Sequence, residues 1–187
     1  MDALVMCGGR GTRLAADREK PLVPVAGRPM VDRVRDALAA SRAETTYAVV
    51  SPHTPETRAH LAARLPVVET PGEGYVADLE TALADERLRR PVLTVVVDLP
   101  LLDAAVLDRV LGAHESGSLT VAVPAERKRA LGVSVDTTFE DGGRELAPAG
   151  VNVVGEGGDR TLVIDDGRLA VNVNRPGDRD VAERLCE

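Results

Sequence analysis

The chain has 187 residues, a formal net charge of −7, and 44% hydrophobic but only 2% aromatic residues. This length and composition predict one folded domain whose core is built from Val, Leu and Ala. An acidic chain argues against general nucleic-acid binding, which usually needs a basic face. The sequence has no apolar run of 18 residues, so we expect no membrane span. Two distant cysteines and no visible signal peptide lead us to expect a reduced cytoplasmic protein.

Apolar runs and helical spacings alternate along the first two thirds of the chain. Strands are predicted at residues 3–6, 46–50, 67–68, 92–97 and 119–123. Helices are predicted at residues 30–38, 55–65, 76–83 and 106–111. This alternation implies parallel βαβ units with right-handed crossovers, and we expect the strongly apolar run 92–97 at the centre of the sheet.

After Pro124 the pattern changes to short apolar runs that are joined by Gly/Asp turns. Strands are predicted at 132–139, 151–154, 162–164 and 169–173, and a helix at 181–185 closes the chain. The sequence therefore predicts an α/β protein with a mostly parallel central sheet flanked by helices and a small β-rich C-terminal portion. We expect a single domain over residues 1–187.

The first predicted strand leads directly into the glycine-rich stretch GGRGTRL at residues 8–14. Parallel sheets present a ligand crevice at the carboxyl ends of their strands, and glycines there let backbone N–H groups approach an anion. Arg10, Arg13 and Lys20 add positive charge suited to phosphate groups. An ordinary tight turn with solvated basic residues is the alternative. The stretch lacks the Gly-Lys-Ser/Thr ending of a P-loop, and Leu14 breaks the dinucleotide-binding pattern.

Residues 8–14, together with KPL at 20–22, resemble the signature of the nucleotidyltransferases, which join a nucleoside monophosphate to a phosphorylated acceptor and release pyrophosphate. Asp98, in the run VVVDLP, resembles the strand-end carboxylate that holds magnesium in these enzymes. Four more segments narrow the resemblance to the archaeal GTP:adenosylcobinamide-phosphate guanylyltransferases, relatives of the molybdopterin guanylyltransferases. They are SPHTP at 51–55, GEGY at 72–75, PAGVN at 148–152 and NVN at 172–174.

The resemblance implies a Rossmann-like nucleotidyltransferase fold and the transfer of GMP from GTP to adenosylcobinamide phosphate in cobalamin biosynthesis. Residues 1–124 would form the nucleotide-binding part, and residues 125–187 an acceptor-binding part with the closing helix. GTP and a corrinoid phosphate would be the substrates, Mg²⁺ would arrive with GTP, and the composition allows a homodimer.

The resemblance also implies a role for each site residue. Catalysis is expected from Arg13 on the β and γ phosphates, Lys20 on the α-phosphate and Asp98 on the metal. The nucleotide-binding set is Gly8, Gly9, Arg10, Gly11, Thr12, Arg13, Lys20, Ser51, Gly72 and Gly74. The acceptor-binding set is Gly150, Asn152 and Asn174.

The chemistry implied by the resemblance does not need a general base. A phosphate monoester has a second pKa near ~6, so the acceptor is already largely dianionic at neutral pH. Catalysis would depend on positioning two polyanions and neutralising their charge. Relatives pair the strand-end Asp with a second acidic residue, where this chain has Asn172 and Asn174. The nucleotide would then have to supply much of the metal's coordination.

Several alternatives stay open at the level of sequence. Lys20 could be a surface lysine before a proline turn, and Asp98 could cap the following helix. Glu73 and Asp78 are candidates to accept hydrogen bonds from guanine, although the glycines nearby could simply start a helix. The three histidines are expected at the surface or at helix edges, and Cys7 need not be a nucleophile.

The alternatives extend to the function itself. The acceptor could instead be molybdopterin or a sugar phosphate, with the same nucleotidyl-transfer chemistry. A catalytically silent nucleotide-binding module that regulates a partner belongs to another class of protein. The joint presence of Arg13, Lys20 and Asp98 weighs against such a module, since a silent domain has no physical need for all three.

Overall fold

The computed structural model describes residues 1–186, so the last residue of the predicted 1–187 domain lies outside the described part. The strands are β1 (Ala3–Met6), β2 (Pro24–Val25), β3 (Arg28–Pro29), β4 (Thr46–Val50), β5 (Val67–Glu69), β6 (Val92–Val96), β7 (Ser118–Pro124), β8 (Phe139–Asp141), β9 (Arg144–Val154) and β10 (Asp159–Val163). The helices are α1 (Met30–Ala39), α2 (Pro55–Leu61), α3 (Tyr75–Leu83), α4 (Ala104–Ala113), α5 (Ala125–Leu131), α6 (Gly167–Ala170) and α7 (Pro176–Leu185). Within residues 1–186 no helix is both long and apolar enough to cross a bilayer.

The central sheet has the strand order β10-β7-β9-β6-β1-β4-β5, and β8 pairs with β9 beside this path. The neighbours from β6 to β5 run parallel, as do β7 and β10. β9 lies antiparallel between β6 and β7, because the hairpin from β8 reverses the chain. The predicted mostly parallel α/β sheet is therefore confirmed, with β6 at its centre.

Helices cover both faces of the sheet, and alternate residues of β1 therefore pack in different apolar clusters. Val5 packs in the cluster that includes side chains of α1 and α4, whereas Leu4 packs with side chains of α3. A strand buried on both faces is typically a continuous apolar run, which is why β1 and β6 could be predicted from the sequence. Since these two strands are parallel neighbours, their carboxyl ends bring the glycine-rich loop and Asp98 to the same edge.

The predicted strand at 132–139 is wrong except at its end, where Phe139 begins β8. Helix α5 ends at Leu131 with Gly132 as its C-cap, and an irregular segment then leads to β8. Ser134 in this segment donates from its backbone N and its Oγ to Asp178, at 2.7 and 2.8 Å. The segment is thus ordered by a buried carboxylate from α7 rather than by a strand ladder.

The predicted strand at 169–173 is also wrong. Helix α6 takes its first two residues, and the side chain of Asp166 caps this helix by accepting from the Arg168 backbone N–H. The chain beyond α6 is an extended link, in which the N–H of Val173 donates to the backbone oxygen of Asp98 at 2.9 Å. Sequence periodicity could not reveal that residues 172 and 173 bind Asp98, just beyond β6, through one side-chain and one backbone hydrogen bond.

Candidate active site

A cavity of about 610 Å³ opens at the carboxyl edge of the central sheet, where β1, β4, β5 and β6 end. This volume is within the range of small-molecule sites, which is roughly 300–1,000 Å³. The cavity is lined by Met6, Cys7, Gly8, Gly9, Arg10, Arg13, Lys20, Pro21, His53, Gly72, Glu73, Gly74, Tyr75, Asp78, Val96, Val97, Asp98 and Asn174. Most of the residues predicted to bind a nucleotide are therefore brought together.

The glycine-rich loop is supported from below by Ser51. Its buried hydroxyl donates to the backbone oxygen of Gly8 at 2.7 Å. A Cβ atom on Gly8 would lie 3.2 Å from the Cβ of Ser51, whereas a Cβ on Gly9 would meet no atom within 4 Å. Gly8 therefore packs against the protein and Gly9 faces open space. Ser51, which was predicted to contact the nucleotide, lies behind the loop.

Gly11 is needed where the loop crosses Lys20. It adopts a φ of 63°, and a Cβ there would lie 2.6 Å from the Cβ of Lys20. Both the left-handed backbone and the close approach favour glycine. Gly11 and Thr12, which begins a short 3-10 helix, do not line the cavity and instead shape the loop.

The segment before Lys20 is fixed to helix α2. The carboxylate of Glu19 accepts from the backbone N–H groups of Glu56 and Thr57, at 2.8 and 2.7 Å, and from the Thr57 hydroxyl. A carboxylate at a helix N-terminus is stabilised by the unpaired N–H groups and by the helix dipole. This anchor holds the turn from which the Lys20 side chain enters the cavity.

Lys20 and Asp98 form an ion pair at the floor of the cavity. Lys20 Nζ lies 2.5 Å from Asp98 Oδ2 and donates to Asn174 Oδ1 at 2.8 Å. The side chain of Asn172 donates to the other carboxylate oxygen of Asp98 at 2.9 Å. Asp103, not Asp98, caps helix α4, by accepting from Val106 N. Lys20 is thus no surface lysine, and Asp98 is no helix cap.

Arg13 is paired across the mouth of the cavity with Asp136. Asp136 accepts from Arg13 Nη1 at 2.5 Å through Oδ2 and from Arg175 Nη2 at 2.7 Å through Oδ1. Both arginines are more than half exposed, so this arrangement is accessible to an incoming anion. Asp136 was not predicted, since its segment was interpreted as a strand and its two arginine partners lie far away in the sequence.

Asn174 is held in place by the first turn of α7. The buried carboxylate of Asp178 accepts from the backbone N–H groups of Asn174 and Arg175, at 3.0 and 2.8 Å. The same carboxylate orders Ser134. Asp178 therefore connects the segment that carries Asp136 with the side chain that contacts Lys20.

A second cavity of about 370 Å³ adjoins the first on the side of β9. It is lined by Arg13, Tyr75, Val96, Asp98, Lys128, Ser134, Asp136, Thr137, Ala147, Pro148, Gly150, Asn152, Asn172 and Asn174. All three residues predicted to bind the acceptor are among them. The residues that line both cavities are Arg13, Tyr75, Val96, Asp98 and Asn174. Two predicted catalytic residues thus lie in the wall between the cavities.

Gly150, in the lining of the second cavity, lies at a position where only glycine fits. It has a φ of 81°, and a Cβ there would lie 2.3 Å from Val96 Cγ2. The register between β7 and β9 shifts near this position. Gly150 therefore lets β9 pass close to β6.

Tyr75 ends the GEGY segment but was given no role from the sequence, and it lies in the wall that both cavities share. The residue is 44% exposed, and burial of the rest of its side chain raises the pKa of the phenol. Its exposed part can contact a ligand in either cavity. Its position directly after Gly74 was the available signal, because residues at the start of a helix face the crevice.

The side of the cavity formed by β4 and β5 offers polar groups for a base. Asp78 is buried and accepts from the backbone N–H of Gly72 at 2.8 Å, so part of its accepting capacity is used within the protein. Glu73 is exposed at the rim. His53 lines the cavity just before helix α2 and accepts from Arg10 Nε at 3.2 Å.

Cys7 lies at the end of β1 beside the cavity but carries an inert thiol. Burial raises the pKa of the thiol well above its usual range. Because the thiolate is the nucleophilic form, a thiol that keeps its proton is unreactive. This agrees with the view that Cys7 is a small packing residue.

The residues around Asp98 fit a divalent cation only with help from a ligand. Within residues 1–186 no group of three or more His, Cys, Asp or Glu side chains is arranged to hold a metal ion. The amide oxygens of Asn172 and Asn174 accept from Lys128 and Lys20. One carboxylate plus phosphate oxygens is nevertheless an arrangement that magnesium accepts. The donor set therefore fits a metal that arrives with a nucleotide.

Residues 3–165 match a protein family described as the MobA-like NTP transferase domain. The sequence is 30% identical to adenosylcobinamide-phosphate guanylyltransferase of Methanocaldococcus jannaschii over 205 aligned residues, which cover 100% of this chain and 98% of that protein. It is 31% identical over 126 residues to the bifunctional protein GlmU of Kineococcus radiotolerans, covering 64% of this chain and 26% of GlmU. The chain thus spans about a quarter of that larger relative.

Two solved structures resemble the fold. A hypothetical transferase from Thermus thermophilus has a TM-score of 0.62 and 26% identity, covering 82% of this chain and 64% of that one. CMP:2-keto-3-deoxy-manno-octonic acid synthetase, solved with CTP, has a TM-score of 0.70 and covers 99% of this chain and 98% of its own. Its identity of 12% makes this second likeness one of fold alone.

Proposed function

Because the chain belongs to the MobA-like NTP transferase family, we propose that it transfers GMP from GTP to adenosylcobinamide phosphate and releases pyrophosphate. The resemblance to the nucleotidyltransferases and the Rossmann-like fold predicted from the sequence are both confirmed. The chain is accordingly an enzyme of the nucleotidyltransferase class. We further propose that the base is guanine, that the acceptor is a corrinoid phosphate, and that particular residues act in each step of the transfer.

The observation that carries the proposal is the wall shared by the two cavities. Nucleotidyl transfer requires the α-phosphorus of one substrate to meet a phosphate oxygen of another, with both polyanions neutralised. Arg13 lies in this wall, and Lys20 contacts Asp98 and Asn174, which also lie there. The larger cavity would hold GTP and the smaller one the acceptor's phosphate end.

The steps follow from the partners that these residues have. Lys20 would leave Asp98 for the α-phosphate, and Arg13 would leave Asp136 for the β and γ phosphates. The backbone N–H groups of Gly8 and Gly9 would face the triphosphate from the end of β1. An oxygen of the acceptor phosphate forms the new bond to the α-phosphorus, and the bond from this phosphorus to the β-phosphate bridging oxygen breaks. Pyrophosphate leaves with that electron pair.

Charge neutralisation is the main contribution of this chain to the transition state. The Lys20 side chain is mostly buried at the cavity floor, where an ammonium interacts more strongly with developing negative charge than it does in water. The acceptor needs no proton removed, so the lack of a histidine beside the shared wall is consistent with the reaction.

Members of this family generally use a divalent metal, and we assign this role to Mg²⁺ at Asp98. Magnesium keeps several waters and binds through one or two carboxylates plus substrate phosphates. When bound, it would neutralise phosphate charge beside the α-phosphorus. Asp98 would be available to hold the ion once Lys20 had left it for the nucleotide.

The corrinoid acceptor and the guanine base are supported by the full-length relative, an adenosylcobinamide-phosphate guanylyltransferase. GlmU, by contrast, is matched over part of its length. Glu73 at the rim and the partly used carboxylate of Asp78 are acceptors of the kind that guanine N1 and N2 donors need.

A pyrophosphate-release screen tests this function. The protein is incubated with Mg²⁺ and each of GTP, ATP, CTP and UTP, in combination with adenosylcobinamide phosphate, molybdopterin or a sugar phosphate. We expect release with GTP and the corrinoid phosphate, and release about 100- to 1,000-fold slower from the Lys20→Ala variant. Release with another acceptor alone would reassign the substrate. GTP binding without release in any combination would favour the silent regulatory module.

A further inference from the structure

Lys128 is a buried lysine on the floor of the smaller cavity. It extends from helix α5 and is only 4% exposed. Its ammonium donates to the backbone oxygen of Ala170 at 2.8 Å and to Asn172 Oδ1 at 2.7 Å. Lys128 and Lys20 are the two lysines of the chain, and both contact the surroundings of Asp98.

Burying this ammonium is unfavourable on stability grounds alone. Removing a charge from water has a large free-energy cost, and an apolar side chain of similar length would fill such a space more favourably. Burial lowers the pKa of Lys128, against the attraction of Asp98, Asp178 and Asp136. The presence of a buried ammonium here is therefore best explained by its hydrogen bonds to Ala170 and Asn172.

The hydrogen-bond chemistry defines the orientation of the Asn172 amide. An ammonium can only donate, so the amide atom that faces Lys128 must be the oxygen. An ionised carboxylate can only accept, so the atom that faces Asp98 must be the amide nitrogen. The same conclusion is reached from both ends of the link. Asn172 therefore acts as a donor to Asp98, and its oxygen is used by Lys128.

The two oxygens of Asp98 are consequently held by different kinds of partner. Oδ2 pairs with Lys20, which lines the nucleotide cavity and is free to turn toward a phosphate. Oδ1 accepts from Asn172, which is buried and is itself held by Lys128. When Lys20 leaves, the carboxylate stays fixed on the Oδ1 side.

We propose that Lys128 is a positioning residue, which acts through Asn172 to hold Asp98 with Oδ2 available to a nucleotide-bound cation. This inference rests on the proposed nucleotidyl transfer. Partners that orient a metal ligand from behind typically change metal affinity or activity by about 10- to 100-fold when removed. The structural alternative is that Lys128 merely fills space, in which case its loss changes stability but not the behaviour of Asp98.

The test uses Lys128→Met, which keeps the chain length but removes the donor. Arg129→Met is the matched control, because Arg129 lies next to Lys128 on α5 and makes an exposed ion pair with Glu145. GTP affinity is measured by calorimetry with excess Mg²⁺ and again in EDTA, without acceptor. We expect Lys128→Met to lower the gain in affinity due to Mg²⁺ by about 10- to 100-fold. GTP affinity in EDTA should stay within about twofold, and Arg129→Met should match the wild type.

Asn172→Ala provides the second variant, because it breaks the same link at Asp98. Its loss of Mg²⁺-dependent affinity should match that of Lys128→Met, and the double variant should lose no more than the larger single loss. If Lys128→Met does not fold, as judged by thermal melting, Asn172→Ala alone decides. A retained Mg²⁺ effect in either folded variant, or additive losses in the double variant, would overturn the inference.

Failure of this inference is distinguishable from failure of the proposed function. Wild-type protein that does not bind GTP in either buffer would contradict the proposed nucleotidyl transfer itself. Wild-type protein that binds GTP with a Mg²⁺ effect, beside variants that keep this effect, contradicts only the role of Lys128.

Discussion

The ammonium of Lys20 lies 2.5 Å from the carboxylate of Asp98, although 78 positions separate the two residues in the sequence. Each belongs to the set expected to act on the nucleotide, and here each neutralises the other. The Arg13 guanidinium is similarly paired with Asp136. The ligand-free site therefore keeps its cations on protein carboxylates, and a triphosphate must replace these carboxylates as it binds.

Lys20→Ala should lower turnover much more than it weakens GTP binding. In the ground state, GTP must compete with Asp98 for Lys20, so part of the binding energy of this contact is offset. In the transition state the α-phosphate gains negative charge, so the contact with Lys20 becomes stronger. Losing one such contact typically costs about 100- to 1,000-fold in kcat. Steady-state kinetics measure this effect, with exposed Arg18→Ala as the nearby control. A raised KM with an intact kcat would make Lys20 a ground-state binding residue.

Asp98→Asn should abolish most activity and also destabilise the fold. Both carboxylate oxygens accept, from Lys20 and from Asn172, so an amide there must face one donor with its own N–H groups. An unpaired buried polar group costs about 1–3 kcal/mol. Urea unfolding measures the stability and pyrophosphate release the activity. Wild-type activity in this variant would show that Asp98 is not the metal ligand.

Gly11→Ala and Gly9→Ala should separate folding from binding. At Gly11 the left-handed backbone costs an L-residue about 1–2 kcal/mol, and the new Cβ would push against Lys20. At Gly9 the added methyl group meets open space in the protein, so stability should change by less than about 0.5 kcal/mol. GTP affinity should nevertheless fall at Gly9, because the methyl group would occupy the path of the triphosphate.

That comparison requires both unfolding curves and GTP titrations on the two variants. A Gly9→Ala variant with unchanged GTP affinity would show that the nucleotide does not approach this part of the loop.

Tyr75→Phe should weaken binding of the acceptor rather than binding of the nucleotide. Tyr75 and Asn152, a residue predicted to bind the acceptor, both line the smaller cavity. A phenol hydroxyl that donates to the acceptor contributes one hydrogen bond, and losing about 1.4 kcal/mol of binding free energy corresponds to a tenfold rise in the KM for the acceptor. Val76→Ala serves as the control, since Val76 is exposed beside it. A rise in the KM for GTP alone would place the ring against the base instead.

Cys7 should make the protein less stable at alkaline pH. Its pKa is raised in the folded state, so an unfolded chain loses the proton near pH ~8.5 while the folded chain keeps it. The contribution of Cys7 to the free energy of unfolding is fully present below the pKa that the thiol has in the unfolded chain. As the pH rises above that pKa, the contribution falls by about 1.4 kcal/mol per pH unit. Urea unfolding from pH 8 to 10 should show this slope, and Cys7→Ala should reduce it. Cys186→Ala should leave it unchanged, and an equal slope in Cys7→Ala would contradict the assignment.

Much of the site could be predicted because its residues lie at the ends of buried parallel strands. The run before Asp98 is apolar on both faces, as is the run before Gly8, and such runs are recognisable without a structure. Parallel neighbours then bring their carboxyl ends to one edge. Local patterns thus predicted a strand end for each, and the resemblance to the nucleotidyltransferases assigned the glycine-rich loop and Asp98 to one site.

The remaining site residues depend on contacts that no local pattern shows. Asp136 lies in a segment that was interpreted as a strand, whereas Asp178 from a distant helix orders this segment through Ser134. Lys128 lies in helix α5 at Ala125–Leu131, a segment for which no element was predicted. Both residues come from the region where tertiary hydrogen bonds, rather than propensity, decide the backbone.

Some expectations from the sequence stay predictions. The division into a nucleotide-binding part at 1–124 and an acceptor-binding part at 125–187 is one, although β9 from the second part lies within the main sheet. The homodimer, the cytoplasmic location and the roles of the individual site residues are the others. Light scattering on the purified protein measures its molar mass in solution and so tests the homodimer.

The most direct test of guanylyl transfer is the fate of the α-phosphate. The protein is incubated with Mg²⁺, adenosylcobinamide phosphate and GTP labelled at the α-phosphorus, and the corrinoid is isolated and counted. The account predicts that the label appears in the corrinoid in amounts equal to the pyrophosphate released, and that Lys20→Ala slows this transfer by about 100- to 1,000-fold. Label that remains in GTP, or appears only as free GMP, would contradict the assignment of this site to guanylyl transfer.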